Sequence, residues 1–120
     1  MSNILLHNES CSKSNAAYRW LEEQQINFEV RNYIAQPLSY EELVGVLSKL
    51  KISALQLVRT NEQPWMEYNY DENSSDEDIL KLIVQHPILL QRPIFIMKDA
   101  AVIARPIDNL IALFNKSSKK

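Results

Sequence analysis

A strand, a helix and a second strand follow one another at the start of this chain: Asn3 to His7, roughly Ser14 to Gln25, and Phe28 to Tyr33. A helix of that length between two strands makes a right-handed crossover, so the strands lie parallel in one sheet with the helix packed on it. This commits the chain to an α/β arrangement. Within the helix, Ala17, Trp20 and Leu21 recur at i, i+3 and i+4 and form an inward stripe, while Arg19, Glu22 and Glu23 face water. The stripe reads as core rather than as a cofactor site.

The middle of the chain is helical. Ser39-Tyr40-Glu41-Glu42 is a capping-box signature, with the serine oxygen taking the N3 amide and Glu42 reaching back. Tyr40, Leu43, Val44, Leu47 and Leu50 supply the apolar face of the helix it opens, and Ser53 to Val58 predicts a further helical turn ending near Arg59. Asn69 to Ser75 is the most loop-like stretch, after which Asp76, Glu77 and Asp78 place acids in the first turn of a helix bearing Ile79, Leu82 and Ile83. His86-Pro87 ends that helix, because the residue before proline leaves the helical region. Two apolar runs, Pro93 to Met97 and Ala101 to Ala104, flank the turn-sized Lys98-Asp99-Ala100 and predict a β-hairpin. Pro106 suits the first position of a last helix carrying Ile107, Leu110, Ile111 and Phe114 inward. The order βαβ, helical insert, ββα is that of a thioredoxin-like fold. The expectation is an α/β (α+β) mixed four-stranded sheet with helices on both faces and a helical insert at about 38–90. With no repeat or low-complexity linker, residues 1–120 read as one domain.

Thirteen basic against fifteen acidic residues leave a net charge of −2, which works against a broad footprint on nucleic acid. The single glycine, Gly45, lies in a helical pattern, so phosphate-loop and dinucleotide motifs are absent. Two distant histidines and one cysteine give no metal-ligand spacing. No apolar run is long enough to cross a bilayer. One cysteine cannot form an internal disulfide, and the start of the chain lacks the order of a signal peptide, so a cytoplasmic protein is the expectation.

That cysteine, Cys11, falls where the first strand gives way to a helix. Unpaired N–H groups and the positive end of the helix dipole favour thiolate there, and His7 and Lys13 add positive charge nearby. A lone cysteine is equally often a small buried hydrophobe, and both readings stand. His7 has two readings as well: a hydrogen-bonded strand terminus, or a histidinium that lowers the thiol pKa. Ser14 either donates to sulfur or caps the helix.

The fragments His7-Asn8-x-x-Cys11, Arg59-x-Asn61-Glu62-x-Pro64-Trp65, Gln85-His86-Pro87-Ile88-Leu89-Leu90-x-Arg92-Pro93-Ile94 and Arg105-Pro106 run over nearly the whole chain. Together, in this order and spacing, they resemble the glutaredoxin-dependent arsenate reductase family. The resemblance implies that Cys11 is the nucleophile, assisted by His7, and that Arg59, Arg92 and Arg105 surround the oxyanion. An oxyanion and a thiolate repel one another unless fixed cations intervene, and arginine stays charged while donating two parallel bonds. Taken singly, each arginine is as readily a solvated residue or a member of a local ion pair. The resemblance further implies a cis bond at Pro93, arsenate or a similar oxyanion as substrate, glutathione and glutaredoxin as external reductants, and no bound cofactor; a monomer is the expectation.

Two departures stand out. Ser12-Lys13 replaces the glycine and threonine that often follow the nucleophile, and Cys-Ser-Lys-Ser resembles a sub-branch of the family. The usual glycine of the final hairpin is missing from Lys98-Asp99-Ala100-Ala101. A thiol redox enzyme acting on another oxyanion or a glutathione adduct is the neighbouring alternative. A non-enzymatic Spx-like transcriptional regulator is the distant one, although Ser14 stands where its second cysteine would be.

Overall fold

Ile4–His7 forms β1 and Glu29–Asn32 forms β2, paired in parallel with Ile4 against Glu29 and His7 against Asn32. The computed structural model describes residues 3–8, 12–68, 71, 73–105 and 107–118, without the side chains of 12–14 and 115–118. The crossover is α1, Ser12–Glu23. It starts two residues earlier than its apolar stripe predicts, so Ser14 is its third residue and the capping reading of Ser14 is overturned. Gln25 closes the helix in the left-handed region at φ 59°.

β3, Ile94–Ile96, runs antiparallel to β1 with Leu6 against Ile94, and β4, Ala101–Ile103, runs antiparallel to β3 with Ile94 against Ile103. The sheet order is β2-β1-β3-β4, a mixed sheet with the first strand inside. Side chains alternate across it. Leu5 and Phe95 point to the face where Ala17 and Leu21 of α1 and Leu110 of α6 (Asp108–Ser118) complete one fully buried cluster. Trp20 and Phe95 both lean on Phe114, at 5.6 and 5.7 Å between ring centres. Leu6 and Ile94, on the opposite face, are buried too. Pro106 lies outside the described residues, and Ile107 precedes the helix as the acceptor for Leu110 and Ile111 amides.

The chain forms two compact units, residues 1–33 with 92–120, and residues 34–91. The second is helical: α2 (Tyr40–Leu50), α3 (Ala54–Leu57), α4 (Gln63–Glu67), α5 (Asp76–Gln85) and a 3-10 turn over Pro87–Leu89. The capping box closes as its sequence demands: Ser39 Oγ accepts from Glu42 N at 3.1 Å and Glu42 Oε1 accepts from Ser39 N at 2.9 Å. One face assignment shifts, since Leu43 and Val46 are buried whereas Val44 is 43% exposed. Ile79, Leu80, Leu82 and Ile83 of α5 are all buried, and Ser75 Oγ caps the helix by accepting from Asp78 N at 3.1 Å. Of Asn69 to Ser75, expected as loop, Asp71 and residues 73–75 are described and carry neither helix nor strand.

Candidate functional site

β1 is apolar until its last residue, and His7 is the one buried polar side chain among the described residues, at 6% exposure. Its ring lies 5.6 Å from that of Tyr18 on α1, tilted by 31°. Continuing the β1–β3 register by one residue sets Pro93 against His7. Across the other side of β3, Ala104 N donates to Pro93 O at 2.8 Å. His7, Pro93 and Ala104 therefore form a row across one end of the sheet, and Arg92 and Arg105 occupy the positions just beyond it. Three separate parts of the chain meet at this end because β1 and β4 finish there while β3 begins.

The Arg92-Pro93 peptide bond is cis. Arg92 is half-buried, with Nε and Nη1 shielded from solvent. Arg105 is exposed, in the link from β4 to α6. Asn109 steadies that link by donating from Nδ2 to Ile103 O at 3.1 Å and to Arg105 O at 3.4 Å. A guanidinium held at a shielded position and a second on a braced loop are suited to an anion, because both charges persist at any working pH.

Arg59 belongs to the other unit. It follows a bridge between Val58 and Leu90, and its own N–H donates to Leu89 O at 2.7 Å. Gln91 returns two bonds, N to Leu57 O at 2.9 Å and Nε2 to Val58 O at 3.2 Å, so the backbone carrying Arg59 is tied on both sides. Arg59 Nη1 meets Glu62 Oε2 at 2.7 Å, with the two side chains 13% and 25% exposed. The local ion pair weighed for a single arginine is thus present at Arg59. Cys11, the proposed nucleophile, lies outside the described residues, as do the side chains of Lys13 and Ser14.

Two contacts, one in each unit, escape a reading of the sequence. The Arg59–Glu62 pair has i, i+3 spacing, a signal that was available. Tyr18 had none, because an aromatic next to Ala17 on an amphipathic helix looks like core edge until β1 is laid beside it. Among the described residues no three His, Cys, Asp or Glu side chains are grouped to hold a metal ion. No helix there is long and apolar enough to cross a membrane.

A mixed sheet of order β2-β1-β3-β4, built from a parallel βαβ unit and a hairpin followed by a helix, defines a thioredoxin-like protein. More narrowly, the chain belongs to the ArsC family, whose model matches residues 6–113. It is 37% identical over 111 residues to an arsenate reductase of Neisseria meningitidis serogroup A, spanning 91% of this chain and 95% of that one. The solved arsenate reductase from Vibrio cholerae superposes with a TM-score of 0.88 at 31% identity, over 93% of this chain and 97% of the other. The global transcriptional regulator Spx 2 of Bacillus anthracis is 30% identical over 94 residues, 78% of this chain and 72% of the regulator.

Proposed function

We propose that this protein is an arsenate reductase in which Cys11 is the nucleophile and Arg59, Arg92 and Arg105 hold the substrate oxygens. The observation that carries the reading is the similarity to a protein named arsenate reductase over 91% of this chain, together with a family match over residues 6–113 that spans all four of these positions. The gathering of His7, Arg92 and Arg105 at one end of the sheet supports it.

In this reading the Cys11 thiolate attacks arsenic, and one arsenate oxygen leaves as water after taking up protons. Glutathione thiolate then attacks the adduct. The sulfur–arsenic bonding pair passes to arsenic, which goes from the +5 to the +3 state, and arsenite departs. The two electrons come from the thiols, leaving a mixed disulfide of Cys11 and glutathione that glutaredoxin reduces. External thiols are needed because the chain has a single cysteine. The arginines act by offsetting the negative charge that the thiolate and the oxyanion bring together. The same reading takes the chain as one functional domain and a cytoplasmic monomer, a reducing compartment being where a lone thiol stays reduced.

The similarity to Spx 2 motivates the rival, a regulator without turnover. Ser14 counts against a switch that needs a second cysteine in the chain. Arsenite formation from arsenate, glutathione and glutaredoxin separates the two. Wild-type protein turns over, Cys11→Ser does not, and Arg92→Ala or Arg105→Ala raises KM by roughly tenfold or more, the scale of a lost charge-assisted bond. Arsenate turnover by Cys11→Ser would remove the nucleophile from this scheme. Wild-type protein that binds RNA polymerase and reduces no arsenate would establish the regulator instead.

A further inference from the structure

Tyr18 touches His7 on one side and the core on the other. Phe28 stands edge-on to it at 5.6 Å and 79°, and Phe28 in turn stands edge-on to the fully buried Phe95 at 6.4 Å and 73°. The tyrosine ring is therefore braced from behind while lying only 31° from the imidazole plane. At its other end the hydroxyl is hydrogen-bonded to Glu22, one turn along α1. That bond raises the phenol pKa, with the carboxylate charge adding in the same direction. The pair lines an open hollow with Gln25, Ile26 and Asn27, so the anchor lies on the solvent side and the contact with His7 on the buried side.

We propose that Tyr18, held by Glu22, is a positioning residue of this site: its ring fixes the imidazole of His7 and stabilises the imidazolium. The link to thiol chemistry rests on the reading of His7 as the electrostatic partner of Cys11. An imidazolium against an aromatic face is drawn by the ring quadrupole, and the attraction grows where water is excluded. The strand residues beside His7, Asn32 on β2 and Pro93 before β3, carry no charge. Next to them in sequence stand Arg31, which pairs with Leu6 and so lies on the opposite face of the sheet, and Arg92, while burial of His7 itself opposes its protonation. On α1, Tyr18 and Glu22 supply the opposing pull.

NMR titration of His7, with His86 as the internal comparison, tests this. In the wild type, nuclear Overhauser contacts link the two rings. Tyr18→Leu lowers the His7 pKa by about half a unit, roughly threefold in proton affinity. Tyr18→Phe keeps the ring but loses the hydroxyl anchor, so it lowers the His7 pKa by less than Tyr18→Leu does, and Glu22→Ala, which removes the same anchor, lowers it in the same direction. The pH profile of Cys11 alkylation by iodoacetamide is recorded on the same proteins. Absence of the inter-ring contacts in the wild type, or an unmoved His7 titration in folded Tyr18→Leu, overturns the proposal. If Tyr18→Leu does not fold, an unmoved titration in Glu22→Ala overturns it equally. A shifted His7 with an unchanged alkylation profile upholds the action of Tyr18 on His7 and refutes instead the role of His7 beside Cys11.

Discussion

The chain's only glycine and one of its left-handed residues occupy each other's preferred places within a single helix. Gly45 sits in the interior of α2, on its exposed side, and a β-carbon built there meets nothing within 4 Å. Lys51, at the C-cap of the same helix, holds φ 58° and ψ 42°, a left-handed conformation in which a side chain crowds the following carbonyl. Replacing glycine with alanine in an exposed helix interior is worth about 0.8–1 kcal/mol, since alanine gives up less backbone freedom on folding. Lys51→Gly relieves roughly 1 kcal/mol of crowding but costs some of that in chain entropy, for a net gain of about 0.5 kcal/mol. At about 2.1 cal/mol/K per residue, a chain of this size unfolds with an entropy near ~250 cal/mol/K, so Gly45→Ala raises Tm by about 4 °C and Lys51→Gly by about 2 °C. The sites are six positions apart on one helix and share no partner, so the double variant adds the two gains. Thermal and urea unfolding followed by circular dichroism give both quantities. A Gly45→Ala protein no more stable than wild type would refute the reasoning, because the structure shows neither a steric nor a conformational need for glycine there.

Ser39→Ala removes the cap oxygen from Glu42 N and costs about 1 kcal/mol, whereas Ser39→Gly costs only a few tenths, measured by the same unfolding curves. The pH dependence of Tyr18 follows from Glu22. With the folded pKa raised above 10.0, the hydrogen bond supports the fold fully below that pH and is lost as pH rises through the folded value. Glu22→Ala therefore brings the Tyr18 titration down toward 10.0, read from its ring resonances, and an unmoved titration would disprove the pairing.

Legibility along this chain tracks how local each determinant is. The caps at Ser39 and Ser75 and the turn between Met97 and Ala101 are written in a few adjacent residues and stand as their side chains demand. α4 was not legible, because its five residues are too few to show a helical period. Val46 stands at i+3 from the buried Leu43 and shares its face, whereas Val44, directly after Leu43, turns to solvent. At the candidate site the motif words mark His7, Arg92 and Arg105, but nothing in them sets a distance. The ion pair of Arg59 with Glu62 and the contact of Tyr18 with His7 are facts of side-chain approach.

What the sequence determined by itself is the order of elements and the residue types at each motif, since periodicity, caps and turns arise from interactions over at most a few positions. Only the tertiary structure decided that β1 lies inside the sheet, that the Arg92-Pro93 bond is cis, and that residues near 7, 92 and 105 share one end. Strand pairing joins residues some ninety positions apart, as Leu6 with Ile94, and such partners are selected by burial of the whole sheet rather than by any local signal.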